Sequence, residues 1–109
     1  MLDKKYKEVC EDLDWRVNED EETIELGRRS PAGEDFFFSV DVENFVEDVK
    51  KYAFNFDTEE HIEMWIDARK NGVRGVPSIR ELVQDADEIQ KMLQELAEAL
   101  QKAENSTEF

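Results

Sequence analysis

The stretch Phe36-Phe37-Phe38-Ser39-Val40-Asp41-Val42 decides the fold. Its apolar residues recur at every second position, which puts Phe36, Phe38, Val40 and Val42 on one face of a strand and Phe37, Ser39 and Asp41 on the other. Toward the N-terminus the same period of two is found twice more, in Trp15-Arg16-Val17-Asn18 and in Thr23-Ile24-Glu25-Leu26. Three short strands with one buried face are predicted. Their connections, Glu19-Asp20-Glu21-Glu22 and Arg29-Ser30-Pro31-Ala32-Gly33-Glu34, have the polar, Pro and Gly content of hairpin loops and are too short for a parallel crossover. An antiparallel meander follows. Alternation leaves Phe37 on the far side of the sheet, either covered by a helix or part of a contact patch.

On both flanks the apolar period lengthens to that of a helix. Leu2, Tyr6, Val9, Cys10 and Leu13 draw one stripe, which predicts a helix over residues 2–13. After the sheet, Phe45, Val46, Val49, Tyr52, Ala53 and Phe56 share one side of a helix capped by Asp41 or Asn44, with Glu47 three residues after Asn44 as a capping box requires. Asp57 or Thr58 opens the next helix, with Ile62, Trp65, Ile66 and Arg69 on one face and Asn71-Gly72 as a left-handed stop. The last helix starts from Ser78, followed at the right distance by Glu81. It carries Ile79, Leu82, Ala86, Ile89, Leu93, Leu96 and Leu100 at alternating steps of three and four. This seam has two readings, core packing against the sheet or a coiled-coil face; Val83, Met92 and Ala97 broaden it in the manner of intramolecular packing. The predicted architecture is α+β, an N-terminal helix, a three-stranded antiparallel sheet, then three helices (αβββααα). It forms a single acidic domain over residues 1–103, with a frayed tail over 104–109.

The chain has 109 residues, 29 Asp and Glu against 14 Lys and Arg, and a net charge of −15. Low hydrophobicity at high charge is the signature of disorder, but seven Phe, two Trp and two Tyr supply more core-forming area than a disordered chain carries. The negative field opposes direct binding of nucleic acid or of an anionic membrane, so basic protein surfaces are the expected partners. Asp3, Lys4, Lys5 and Lys7 put charge into the first seven positions, where a signal peptide needs an apolar run, and no stretch approaches the ~18 apolar residues of a membrane span. The expected location is cytoplasmic. Cys10 is the one cysteine, which excludes a disulfide within the chain and predicts a small buried hydrophobe.

Residues 1–67 hold 21 acids and 8 bases, whereas residues 68–109 hold 8 and 6. The acidity therefore belongs to the sheet and the helices around it. Glu8, Glu11, Asp12, Asp14, Glu19, Asp20, Glu21, Glu22 and Glu25 surround a single base, Arg16, and Asp57, Glu59, Glu60, Glu63 and Asp67 run without one. Such density destabilises the compact state by self-repulsion, which favours a binding role over simple solubility: carboxylates presented where a partner expects phosphates. No comparable case exists for catalysis or for a cofactor. His61 is the only histidine and lacks the second histidine of a zinc site, so no metal is expected. No carboxylate is marked by desolvation as a catalytic acid, and no Ser or Cys has a histidine partner. The loop Asn71-Gly72-Val73-Arg74-Gly75-Val76-Pro77-Ser78, with Arg80 near its mouth, is read as a turn between helices. An anion cradle, or the backbone clamp of single-strand RNA-binding domains, is its weaker alternative.

Three segments, Ser30-Pro31-Ala32-Gly33-Glu34-Asp35-Phe36, Glu60-His61-Ile62-Glu63-Met64-Trp65 and Gly75-Val76-Pro77-Ser78-Ile79-Arg80-Glu81-Leu82-Val83, resemble parts of small acidic proteins carried on mobile elements of gut Firmicutes. The resemblance implies a setting in which inhibitors of host defence, including anti-CRISPR and anti-restriction proteins, are encoded. It carries no functional residue with it. The expected function is inhibition of a DNA-handling host protein, such as a CRISPR effector nuclease or a restriction enzyme, whose basic groove the carboxylates occupy. The alternative is a structural adaptor or antitoxin-like subunit, or a homodimer, working through Leu82, Ile89, Leu93, Leu96 and Leu100. An enzyme is not expected.

Overall fold

The computed structural model describes residues 2–30, 33, 35–70, 72 and 78–105. The elements follow the predicted order: α1 (Lys4–Asp12), β1 (Arg16–Glu19), β2 (Thr23–Arg29), β3 (Asp35–Asp41), α2 (Phe45–Asn55), α3 (Thr58–Lys70) and α4 (Ile79–Asn105). The strands form one antiparallel sheet in the order β1-β2-β3, with Val17 opposite Leu26 and Leu26 opposite Phe38. Burial alternates along β3 without a fault, so Phe36, Phe38 and Val40 face inward with Ile24 and Leu26.

The junction of α1 and β1 is set by backbone geometry. Asp14 adopts a left-handed φ of 67°, and the N–H groups of Asp14 and Trp15 donate back to the carbonyls of Glu11 and Cys10 at 3.0 and 2.9 Å. These are the two bonds of a Schellman stop, with aspartate where glycine is usual. The stop drops Trp15 into the core, where its ring meets Phe38 edge-on at 5.8 Å and Phe36 at 6.4 Å. Tyr52 of α2 stacks on Phe38 at 4.3 Å and closes the aromatic cluster.

The two readings of the α4 seam resolve in favour of the core. Leu82, Ala86, Ile89, Leu93, Leu96 and Leu100 are all at most 1% exposed, and from Ile89 onward they join one cluster with the sheet, α1 and α2. The earlier part of α4 packs against α3. Ile79 and Val83 depart from expectation: both are exposed, although Leu82 between them is buried. The helix also continues through Asn105, into the segment expected to fray; residues 106–109 lie outside those described.

Helix starts match the sequence at two places and differ at a third. Asp57 caps α3 by accepting from the N–H groups of Glu59 and Glu60 at 2.9 and 3.3 Å, and Ser78 accepts from Glu81 N–H at 3.3 Å while its hydroxyl donates to the Glu81 carboxylate. At α2 the expected capping box does not form. Asn44 makes no side-chain cap bond, Glu47 turns to Lys50 at 3.3 Å, and Asp48 instead accepts from Asp41 N–H at 3.2 Å, tying the helix to the end of β3. Gly72 has the left-handed φ of 82° expected of a helix stop; Asn71 and the remainder of the glycine-bearing loop before Ser78 lie outside the described residues.

Two consequences are testable. Truncation of Leu93, fully buried at the centre of the seam, should cost about 2–5 kcal/mol, read as a lower urea midpoint at unchanged slope for Leu93→Ala. Burial pushes the Cys10 thiol up to about 12, so it stays protonated and unreactive. Iodoacetamide at pH 8 should leave the native chain unmodified and alkylate it in urea.

Candidate functional site

All described helices pack on one side of the sheet, and the other side is bare. Phe37 stands there 60% exposed, which resolves its two readings: no helix covers it. Beside it Gly27 lies between Arg16 and Phe37 in register. The Arg16 guanidinium crosses over Gly27 to pair with Asp35, and a Cβ on Gly27 would come within 2.7 Å of Arg16 Nη2. A side chain at Gly27 would push the guanidinium off this path across the three strands.

The acidic residues singled out in the sequence are placed as follows. Glu8, Glu11 and Asp12 lie on α1, Asp14 at its stop, and Glu19, Asp20, Glu21 and Glu22 at the β1–β2 hairpin, with Glu25 on the bare sheet face. Asp57, Glu59, Glu60, Glu63 and Asp67 belong to α3 and its cap. Every one of the fourteen is exposed. Among the described residues, only Glu8 of this set has a cationic partner, Lys4 at 3.8 Å.

The structure does not join these residues into one patch. Glu22 accepts from Val42 N–H at the Asp41 end of β3, whereas α3 packs its His61 ring against Phe36 at the Asp35 end. A seven-residue strand separates the two, about 20 Å. Among the described residues, helices α1 and α3 make no contact. The expected continuous surface is thus divided on a body 53 Å long: the hairpin acids form one pole and the α3 acids the other, with Asp14, next to Trp15 and Arg16, at the α3 end of the sheet.

At the α3 pole lies a groove that sequence reasoning missed. A cavity of about 430 Å³ opens where β3 meets the α2–α3 corner, with Phe36, Tyr52 and Phe56 as its apolar lining and Asp35, Asp57 and Glu60 at its rim. His61 forms its floor, 7% exposed, with its ring 5.7 Å from Phe56 and 6.4 Å from Phe36. Burial raises the Tyr52 hydroxyl pKa. The sequence offered one signal, three consecutive phenylalanines at an alternating strand, but it did not show which helices would face them. Asp85, buried on the face of α4 beside Leu82, Ala86 and Ile89, also escaped notice, although its position on the seam marks it.

Among the described residues no three His, Cys, Asp or Glu side chains converge as a metal site requires, and no helix is long and apolar enough to cross a membrane. No protein-family model, curated protein or solved structure matches the chain.

Like charges one turn apart destabilise a helix. Glu63 has Glu59 four residues before it and Asp67 four residues after it, so Glu63→Lys converts two repulsions into attractions. The variant should melt about 2–4 °C higher at low salt, measured by circular dichroism, and the gain should vanish at high salt.

Proposed function

We propose that this chain is an acidic inhibitor of a DNA-handling host defence protein, of the anti-CRISPR or anti-restriction type, that occupies the target's basic groove in place of nucleic acid. The observation that carries the reading is the exposure of all fourteen carboxylates, thirteen of them with no cation within 4 Å among the described residues. Surface acids kept for solubility alone are commonly interleaved with bases, and the repulsion they cause is thereby relieved. Here the repulsion is retained.

Charge spacing supports the same reading. From Asp57 to Asp67 five carboxylates lie along about 15 Å of helix axis, a mean spacing of ~4 Å, near the ~3.4 Å phosphate spacing of a single DNA strand. Glu60, Glu63 and Asp67 follow the i, i+3, i+7 positions of one face, with Glu59 beside them. Lysine and arginine side chains that hold phosphates would meet charge-assisted acceptors at a familiar density. The two poles engage a groove at points about 20 Å apart, and each adds to the steering of association. The resemblance to small acidic proteins of mobile elements supplies a setting for such an inhibitor.

The adaptor reading loses its surface, because Leu82, Ile89, Leu93, Leu96 and Leu100 are enclosed in this chain's own core. The large apolar side chains that α4 leaves exposed, among the described residues, are Ile79 and Val83, too little for a helix-mediated interface.

The test is capture on the immobilised protein from a bacterial lysate, washed in parallel at low salt and at ~0.5 M NaCl, where the Debye length falls to a few Å. A basic nucleic-acid-binding protein should be retained at low salt, released at high salt and displaced by duplex DNA. The triple reversal Asp20→Lys, Glu21→Lys, Glu22→Lys should abolish its retention while the circular dichroism spectrum stays unchanged. Retention of that protein by the triple variant would remove the hairpin pole from the mechanism, and insensitivity to both salt and DNA would overturn the reading.

A further inference from the structure

The two edges of the sheet are unlike. Strand β1 is four residues long, Arg16-Val17-Asn18-Glu19, with a charge at each end, and such an edge resists further pairing. Strand β3 is seven residues long, and its central five, Phe36-Phe37-Phe38-Ser39-Val40, carry no charge, no proline and no bulge. Its outward groups follow from the register. Val42 N–H donates to Glu22 at 3.0 Å, so the even-numbered residues of β3 hydrogen-bond to β2 and the odd-numbered ones turn their N–H and C=O groups to the edge. Asp41 N–H confirms this by donating away from the sheet to Asp48. Among the described residues, nothing pairs with the edge-side backbone of Phe37 and Ser39.

The edge is also walled. A second depression, of about 380 Å³, shares Tyr52 and Asn55 with the aromatic groove and runs along Ser39, Val40 and Asp41, with Asp48 and Lys51 of α2 on its far side. Together they form a trench the length of β3. We infer that this trench is the docking site for an extended basic segment of a partner protein, which adds to β3 as a fourth strand and seats a Lys or Arg side chain in the aromatic groove.

Charge selects this occupant. The groove offers Phe36, Tyr52 and Phe56 to the alkyl stem and ring-face attraction of a cationic side chain, and Asp57 and Glu60 to its head, Asp35 being held by Arg16. A second copy of β3 is disfavoured in the same place, because antiparallel self-pairing sets Asp35 toward Asp41 and brings together two chains of net charge −15. Backbone pairing then gives affinity without sequence dependence, and the groove selects the basic residue. The inference rests on the reading of the partner as a basic protein and names how part of it is held.

The probe is the capped heptapeptide Val-Arg-Val-Arg-Val-Arg-Val, titrated into the ¹⁵N-labelled full chain. The amides of Phe37 and Ser39 should shift and gain protection from exchange. N-methylation of alternate peptide nitrogens, one set in each of two peptides, leaves charge and protein untouched; one of the two peptides should bind at least tenfold more weakly. Ser39→Pro, which removes an edge-side N–H, and the pair Asp57→Lys with Glu60→Lys should each weaken binding at least tenfold, against less than twofold for the charge-matched pair Asp87→Lys with Glu95→Lys. Equal affinity of both methylated peptides, shifts confined to α1 and the hairpin loop, or a dimer of the free chain mapped to β3 would each overturn the docking site. Failure of the docking site leaves a DNA-competed target in the capture experiment unaffected. Edge binding without any such target would instead sink the inhibitor reading alone.

Discussion

The burial of one leucine seam against one face of a small sheet holds the molecule together. Leu93, Leu96 and Leu100 of α4 meet Ile24, Leu26 and the Trp15–Phe38 pair in a single cluster, which also takes in apolar side chains of α1 and α2. That concentration is what permits a net charge of −15 on 109 residues. Hydrophobic burial is non-directional and hardly screened by salt, whereas repulsion among exposed carboxylates is spread through water and weak per pair. A core of this size therefore tolerates a surface that gains almost nothing from its charges.

One-sided packing has a second consequence. A sheet of three strands that spends one face on the core leaves the other face and two edges to be managed. The bare face is managed by the Arg16–Asp35 pair laid across Gly27, and the β1 edge by its own charges. The β3 edge is left open, and it is the edge beside which the aromatic residues and three rim carboxylates gather. Recognition by the acidic poles and recognition by the open edge thus use different physics. The first acts at a distance and sets the rate of encounter; the second acts at contact and sets register.

Much of the fold was legible because the apolar period changes from 3.6 to 2 and back, and each change coincides with polar or glycine-bearing residues. Ile24, Leu26, Phe36, Phe38 and Val40 were placed by alternation alone, and the α4 seam by its steps of three and four. The details that escaped depend on contacts between distant elements. Asp48 takes an N–H at the end of β3 in place of the expected cap at Asn44, and nothing local to either residue signals it. His61 stood out in the sequence only as a lone histidine, and its place beneath the groove is set by Phe36 and Phe56 from two other elements. The carboxylates were named correctly as exposed, yet their division into two poles is a property of strand length and register that a list of residues does not contain.

The claim on which the account turns is that the surface carboxylates are uncompensated, so that the native state carries a repulsive load. The direct measurement is the melting temperature of the free protein as NaCl is raised from about 20 mM to 0.5 M at neutral pH. Screening should relieve the load, and the melting temperature should rise steadily by several degrees. A flat or falling profile would mean that the charges are already paired favourably, and it would contradict the account.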